Sequence, residues 1–142
     1  MGKRREGREA AVQFLYQLDA NHEQPAALFP RFWTLRSAPG KKNEPSAKTR
    51  AFAEQLVNGV ATHLADIDAR IKKFAANYEL HRISAVDRNI LRLAIFEMLH
   101  CPEVPPVVSI NEAIEIAKRF GSEDSGRFIN GILDRVLSLI HI

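Results

Sequence analysis

The stretch RISAVDRNILRLAIFEML, residues 82–99, constrains the fold more than any other part of the chain. Ser84 followed three residues later by Asp87 resembles a capping box, which satisfies free amides at a helix start. A helix that is apolar nearly all round has to be enclosed by other elements. We therefore predict that this helix lies at the centre of the fold and ends before Pro102. The apolar residues that cover its circumference are Ile90, Leu91, Leu93, Ala94, Ile95, Met98 and Leu99.

Apolar residues three or four positions apart recur along most of the remaining chain, which is the spacing of one buried helix face. No segment alternates convincingly between apolar and polar residues with period two, as a half-buried strand would. The sequence therefore predicts an all-α protein. Beyond the central helix, the predicted helices cover residues 9–18, 26–35, 46–74, 109–120 and about 122–140.

Three helix ends are predicted from local capping chemistry. The long helix in the first half of the chain is expected to bend near Asp66, with Asp66 or Asp68 capping the new segment. Ser109 is expected to cap a later helix, with Glu112 completing a capping box. Gly121 then falls at the position of a left-handed C-terminal stop.

The stretch SAPGKKNEPS, residues 37–46, contains two prolines and a glycine and predicts an exposed, mobile connection. At 142 residues and 46% apolar content, the chain is long enough for one domain that needs no metal or disulfide staple. Its single cysteine, Cys101, excludes an intrachain disulfide and suits a reducing compartment. No apolar run resembles a signal peptide or a membrane span, so we expect a cytoplasmic protein without membrane contact.

Convergent catalytic or metal-binding groups are not evident in the sequence. The five histidines are scattered, and none forms a zinc-type cluster with Cys101. The neighbours His100 and Cys101 fit the frayed end of a helix better than a thiolate pair. GSEDSG, residues 121–126, lacks the spacing of a catalytic serine loop or a phosphate loop and predicts a stop and restart between helices. We expect no enzymatic activity, no metal ion and no cofactor.

Four cations open the first helix: Lys3, Arg4, Arg5 and Arg8. A helix N-terminus disfavours positive charge, so these residues need an offsetting partner. Helical spacing places Arg8 beside both Arg4 and Arg5, which predicts one cationic patch, with Glu9 partly neutralising Arg5. Phosphate oxygens would bind such a patch, and the net charge of +3 mildly favours a polyanionic partner. A solvated charged terminus is the alternative explanation.

Tyr16 lies about 80° around the helix from Arg8 by the helical pitch. Its ring is therefore expected at the border between the core and the basic face, where a single-stranded base could stack. An ordinary half-buried tyrosine is an equal alternative. The residues alone predict a helical domain with one end suited to RNA.

Three ordered segments together resemble the NusB family of bacterial transcription antitermination factors. They are RREGREAAVQFLYQ at the start, RISAVDRNILRLAIFEM in the middle and VSINEAIEIAKRFGSEDSGRFINGILDRV near the end. The resemblance covers most of the chain and is weakest over residues 22–48. It implies a single RNA-binding domain over residues 1–142, with about seven helices in two packed helical subdomains, about 1–80 and 81–142.

The resemblance also implies a noncatalytic role in RNA binding. Members of this family pair with NusE, a small-subunit ribosomal protein that doubles as a transcription factor. The pair recognises the boxA element in nascent RNA and helps a modified RNA polymerase complex resist termination, notably on ribosomal RNA operons. We therefore expect boxA RNA, NusE and the RNA polymerase antitermination complex as partners.

Site residues are carried over from the family position by position. The arginine-rich N-terminal motif contacts RNA in this family, and Glu6 and Gly7 interrupt it here. Asp87 matches an acidic position that faces NusE, although it also belongs to the predicted capping box. The RNA-binding positions that match are Lys3, Arg4, Arg5, Arg8, Tyr16, Lys118, Asp124 and Phe128.

Two other functions remain as alternatives. The chain could be a protein-interaction module that binds NusE and has little RNA affinity of its own. It could also be the RNA-binding part of an rRNA-modifying enzyme, but 142 residues leave no room for a cofactor-binding α/β domain. The sequence leaves open whether the free protein is a monomer or a homodimer, since some relatives self-associate.

Overall fold

The computed structural model describes residues 2–21, 24–36, 45–75 and 78–140. Within these ranges all regular secondary structure is helical, which confirms the predicted all-α class. A short 3₁₀ helix, Leu80–Arg82, precedes the fifth α-helix. The seven α-helices are α1 (Gly2–Asn21), α2 (Pro25–Arg36), α3 (Ala47–Thr62), α4 (Leu64–Phe74), α5 (Ala85–His100), α6 (Pro106–Phe120) and α7 (Ser125–Ile140).

Helix α5 lies at the centre of the fold, as its apolar circumference predicts. It packs against α1, α3, α4, α6 and α7. The hydroxyl of Ser84 accepts the amide of Asp87 at 3.2 Å, so the serine half of the predicted capping box is present. Oδ1 of Asp87 is buried without a hydrogen-bond partner among the described residues.

One apolar core receives side chains from all seven helices. Helix α1 contributes to this core and packs against both α3 and α5. It begins already at Gly2, so the basic residues near its start are helical rather than a loose tail. The division into two subdomains near residue 80 stays a prediction.

The junction between α3 and α4 differs from the predicted one. The break falls at His63, whose side chain makes no capping hydrogen bond, so the prediction that Asp66 or Asp68 caps α4 is wrong. Asp66 lies in the first turn of α4. The carboxylate of Asp68 instead accepts two hydrogen bonds from Arg92 on α5, at 2.8 and 3.0 Å. A charged bidentate pair of this kind is stronger than a local cap, which explains why Asp68 pairs with Arg92 rather than capping α4.

Helix α6 also begins earlier than predicted. Its first residue is Pro106, which suits this position because proline lacks the amide that a first turn leaves unbonded. Ser109 and Glu112 therefore lie inside the helix, and the capping box predicted for them is wrong. Both side chains are buried and bind partners on other helices.

Gly121 ends α6, but not in the predicted left-handed conformation. Its φ is −93° and its ψ is −173°, which is extended backbone. A Cβ at this position would lie 2.5 Å from the Ser125 hydroxyl oxygen. That hydroxyl accepts the Ser122 amide at 2.9 Å. Glycine is needed here for close packing at the turn into α7 rather than for an unusual φ.

The predicted connection over residues 37–46 lies outside the described residues except at its last two positions. Pro45 is buried, so the prediction of an exposed connection is wrong at this position. Ser46 caps α3 by accepting the Thr49 amide at 3.1 Å. Pro30 lies inside α2, within the helix predicted over residues 26–35. Among the described helices, none combines the length and apolar character that crossing a membrane requires.

Candidate nucleic-acid interface

The basic start of α1 presents two exposed cations beside α3. Lys3 and Arg4 line an open groove together with Phe52 of α3. The guanidinium of Arg4 lies 4.1 Å from the centre of the Phe52 ring, within the range of a cation–π contact. A Cβ on Gly7 would lie 2.6 Å from that ring. Gly7 therefore does more than interrupt the cations, because its missing side chain lets Phe52 pack against α1.

Arg8 is not part of the exposed surface. Its Nε and Nη2 donate to the carboxylate of Glu97 on α5 at 2.7 and 2.8 Å. The two side chains are only 7% and 2% exposed. Burial would lower the pKa of Arg8, but the hydrogen bond and charge of Glu97 raise it overall, so the guanidinium stays charged. Contact between Arg8 and RNA stays a prediction, and in the free chain this side chain is occupied inside the protein.

Arg5 is held by a carboxylate on α6 while it remains partly exposed. Its Nε and Nη2 donate to the two carboxylate oxygens of Glu112 at 3.0 and 2.8 Å. The Arg5 side chain is 31% exposed. The hydrogen bond and charge of Arg5 hold the pKa of Glu112 below its ordinary value. Arg5 is thus fixed along one edge and open to solvent along the other.

These two pairs are joined. Oε1 of Glu112 also lies 3.9 Å from Nη1 of Arg8. Glu97, Arg8, Glu112 and Arg5 therefore alternate in charge from the core to the surface, and we call this series the ion-pair ladder. The prediction of one patch that combines Arg4, Arg5 and Arg8 is wrong, because the ladder neutralises two of its three members.

The hydrogen bond and charge of Glu112 do most to raise the pKa of Arg5, and the charge of Glu9 adds to them, so the predicted partial neutralisation of Arg5 by Glu9 holds for charge alone. Glu9 instead accepts a hydrogen bond from Arg119 at the end of α6, at 2.7 Å. The bidentate partner Glu112 occupies the donor edge of Arg5 that Glu9 would need. The pair formed by Glu9 and Arg119 ties the middle of α1 to the end of α6.

Tyr16 lies at the border of the core, as its helical position predicts, and is 48% exposed. It lines an open groove of about 570 Å³ with Phe32, Val86 and Phe120. Arg5 and Tyr16 are eleven residues apart, so helical geometry puts them within about 20° of each other and about 16 Å apart along α1. One stripe of α1 therefore carries both a partly exposed guanidinium and a partly exposed ring.

The remaining predicted RNA-binding residues are not gathered at this groove. Lys118 is exposed on α6, where its ammonium lies 3.0 Å from the Glu115 carboxylate. Asp124 is exposed just before α7, and its carbonyl accepts the Phe128 amide at 3.1 Å. The Phe128 ring is half-buried and meets Tyr78 edge to face at 5.5 Å. Phe128 thus belongs to a second groove, whose lining does not include Tyr16.

Asp87, the predicted contact for NusE, is buried in the first turn of α5. Its neighbour Val86 lines the same groove as Tyr16. Asp87 therefore lies next to this groove, and its contact with a partner stays a prediction.

The other end of α1 carries a second cluster that the sequence did not reveal. Asp19 accepts hydrogen bonds from Arg88 at 2.9 Å, from Arg92 at 2.9 Å and from Asn89 at 3.0 Å. Burial alone would raise the pKa of Asp19, but these hydrogen bonds and the charge of Arg92 hold it below its ordinary value. Asp68 completes the cluster through its bonds to Arg92.

A signal for one missed residue was present in the sequence. Glu97 is a single carboxylate within the apolar run LAIFEML of the predicted central helix. A carboxylate on a buried face needs a cationic or hydrogen-bonding partner. The cations at the start of α1 also needed offsetting partners, so they were candidates for this pairing.

Metal and thiol chemistry find no support in the described part of the chain. No three histidine, cysteine or acidic side chains there are grouped as a metal site requires. Burial raises the pKa of the Cys101 thiol to about 11, so it is protonated at neutral pH. The His100 ring stacks on His63 with 3.8 Å between centres rather than pairing with the thiol.

Comparison with known sequences assigns the family. The NusB family profile matches residues 5–138. The transcription antitermination protein NusB of Sorangium cellulosum (strain So ce56) is 46% identical over 136 residues, covering 96% of this chain and 92% of the relative. The protein of the same name from Myxococcus xanthus (strain DK1622) is 45% identical over 136 residues, covering 96% and 95%.

Solved structures agree with this assignment. T. maritima NusB has a TM-score of 0.82 at 36% identity, covering 95% of this chain and 90% of that one. A chain in the crystal structure of antitermination factors NusB and NusE in complex with dsRNA has a TM-score of 0.83 at 27% identity, covering 98% of each chain. Because the family profile matches residues 5–138 and the Sorangium and Myxococcus relatives are 46% and 45% identical over 96% of its length, this chain belongs to the NusB family.

Proposed function

We propose that this protein is a noncatalytic transcription antitermination factor that binds the boxA element of nascent RNA together with NusE. In this role it acts in the cytoplasm within the RNA polymerase antitermination complex and supports transcription of ribosomal RNA operons. Close relatives named as antitermination proteins support the general role. The structure of a related NusB with NusE and RNA supports the choice of partners.

The observation that carries the proposal is the exposed stripe of α1. Arg5 offers a guanidinium edge to a phosphate, and Tyr16 offers a ring on which an unpaired base can stack. Lys3 and Arg4 add positive charge at the start of the same helix. A single-stranded RNA laid along α1 would meet phosphate-binding and base-binding groups in succession.

Fluorescence anisotropy of a labelled boxA RNA tests the proposal directly. The RNA is titrated with this protein alone, with NusE alone and with both, at two salt concentrations. We expect the pair to bind more tightly than either protein, and the affinity to fall as salt rises. A scrambled RNA of the same length is the control for sequence preference. Equal binding of boxA and scrambled RNA by the formed pair would refute the proposal.

Variants of the exposed cations test the assigned surface without disturbing the core. Lys3→Gln with Arg4→Gln removes two exposed charges, and we expect weaker binding with a salt dependence reduced by about 0.7 per lost phosphate contact. Arg70→Gln with Lys73→Gln is the matched control, because it also removes one arginine and one lysine, both on α4, where Arg70 is partly exposed with the exposed carboxylate of Asp66 beside it at 3.5 Å and Lys73 is exposed. Arg8 is left intact because its ion pair with Glu97 is buried. An unchanged affinity in the double variant would count against this surface.

The ion-pair ladder favours a second candidate function, a NusE-binding module with little RNA affinity of its own. Glu97 and Glu112 offset the charges of Arg8 and Arg5, which leaves less positive charge for RNA than the sequence implies. In that case the protein binds NusE, and the pair binds boxA no better than NusE alone. The three-way titration separates the two candidates.

A further inference from the structure

The hydrogen bonds of Arg5 leave a defined part of its guanidinium available. Glu112 takes the edge formed by Nε and Nη2, with distances of 3.0 and 2.8 Å. Nη1 makes no hydrogen bond to the described residues, and the side chain is partly exposed. A guanidinium is planar and rigid, so fixing one edge also fixes the direction in which the other edge donates.

Glu112 is itself held in place from the inside. Nη1 of Arg8 lies 3.9 Å behind its Oε1, and Arg8 is anchored by Glu97. The hydroxyl of Ser109 also donates to Glu97, at 3.4 Å. Helices α1, α5 and α6 therefore jointly determine where Arg5 points.

The ladder also has no net charge, because two carboxylates balance two guanidinium groups. Its attraction for an arbitrary polyanion is accordingly weaker than that of two unpaired arginines. A phosphate gains from Arg5 only where it meets the donors of Nη1 in their fixed direction. A phosphate contact does not read sequence by itself, but an RNA whose bases are docked holds its phosphates in register with the fixed donors of Nη1, whereas an undocked RNA does not.

We propose that Glu112 is a positioning residue that sets the preference of this protein for its specific RNA, by orienting Arg5 and by offsetting its charge. The inference rests on the proposed function in RNA binding. Glu112 touches Arg5 rather than the RNA, so it acts on discrimination between RNAs more than on total affinity.

Two glutamates on α6 provide a matched test. Glu112→Gln removes the charge and one of the two acceptors that hold Arg5. Glu115→Gln removes an equal charge three residues away, where the carboxylate pairs with Lys118 at 3.0 Å. The dissociation constants for boxA and scrambled RNA are measured in the presence of NusE. The ratio of the constant for scrambled RNA to the constant for boxA is then compared between the variants and the unmodified protein.

We expect both variants to bind scrambled RNA more tightly than the unmodified protein, since each removes a negative charge near the RNA. Only Glu112→Gln should lower the ratio of the two dissociation constants, by about fivefold, the effect of one lost hydrogen bond. Glu115→Gln should leave the ratio unchanged within about twofold, since it breaks no bond to Arg5 and the Lys118 ammonium that it releases has no fixed donor direction. Equal ratios in the two variants would overturn the inference.

Arg5→Lys tests the same point without removing a buried carboxylate. It keeps the positive charge but loses the rigid fork, so we expect the same fall in the ratio with an unchanged salt dependence. Combining it with Glu112→Gln should lower the ratio no further, because both changes act through one guanidinium. Circular dichroism confirms that each variant is folded.

The outcomes also separate this inference from the proposed function. If the unmodified protein with NusE does not prefer boxA over scrambled RNA, the proposed function fails and the inference fails with it. If that preference is present and Arg5→Lys retains it, the inference alone is overturned.

Discussion

The two ends of α1 are pinned to the rest of the protein by ion pairs of opposite polarity. At the N-terminal end, Arg8 and Arg5 meet carboxylates on α5 and α6. At the C-terminal end, Asp19 meets Arg88 and Arg92 on α5. Each charge opposes the helix macrodipole at its own end. Charges that a helix itself disfavours are therefore good indicators of tertiary partners.

The two clusters differ in whether they are complete. At the C-terminal end, Nε, Nη1 and Nη2 of Arg92 all donate to Asp68, Asp19 or Asn89. At the N-terminal end, the ladder reaches the surface at Arg5, where Nη1 remains for a ligand. The C-terminal cluster holds the helices together, while the N-terminal ladder joins the core to a binding surface.

The largest effect is expected from breaking the buried pair of the ladder. Arg8→Met leaves the Glu97 carboxylate without its cation, and we expect the free energy of unfolding to fall by about 3–5 kcal/mol. Urea denaturation followed by circular dichroism measures the change. Arg4→Met, at an exposed position about one turn nearer the start of α1, is the control and should cost less than about 1 kcal/mol.

A second substitution sharpens this result. Replacing Glu97 by Met in the Arg8→Met variant removes the stranded charge, so much of the lost stability should return. No recovery in the double variant would mean that packing, rather than the uncompensated carboxylate, dominates the cost.

A smaller effect is expected at the opposite end of α1. Asp19→Ala removes an acceptor shared by Arg88, Asn89 and Arg92, and we expect a loss of about 2 kcal/mol in the free energy of unfolding. The effect is smaller because Asp19 is partly solvated and Asp68 still binds Arg92. Thermal and urea unfolding measure it.

The two ends should also behave independently. Arg8 and Asp19 are eleven residues apart on α1, or about 16 Å by helical rise. The losses from Arg8→Met and Asp19→Ala should therefore add to within about 0.5 kcal/mol in a double variant. A strong departure from additivity would show that the two clusters form one coupled network through α5.

The fold was largely predictable from the spacing of apolar residues. The encircling apolar residues of 82–99 predicted the central position of α5, and Ser84 predicted its start. The incorrect caps involved Asp68 and Glu112, acidic residues whose position beside a predicted helix start had a plausible local explanation. Both carboxylates are instead engaged by arginines from other helices. Local capping rules fail where a tertiary ion pair is stronger.

The site was predictable only in part, for the same reason. The cations of α1 and the ring of Tyr16 were visible in the sequence, as was their disfavoured position at a helix start. Their partners were not, because Glu97 lies 89 residues from Arg8 and Glu112 lies 107 residues from Arg5. A local pattern cannot show which cations the fold neutralises and which it leaves exposed.

Acidic pH should weaken both ends of α1 together. The folded-state pKa values of Asp19 and Glu112 lie below their ordinary values, so the unfolded chain binds more protons as pH falls. Their contribution is present above about pH 5 and is lost progressively below about pH 4. Urea denaturation between pH 7 and pH 3 should show this decline. Asp19→Asn and Glu112→Gln should each make it shallower, because each removes one of the carboxylates whose pKa is lowered by folding.

The smallest effect is expected from the ion pair between Arg119 and Glu9, although it is as short as the pair in the core. Both pairs have a distance of 2.7 Å, but the Arg119 side chain is 65% exposed whereas that of Arg8 is 7% exposed. The Glu9 side chain is only 12% exposed, but water and dissolved ions reach the pair around Arg119, so Arg119→Gln should lower the free energy of unfolding by less than about 1 kcal/mol. Urea denaturation at low and high salt measures this change beside that of Arg8→Met. A loss from Arg119→Gln approaching that of the buried pair would mean that distance, rather than burial, decides what an ion pair contributes in this protein.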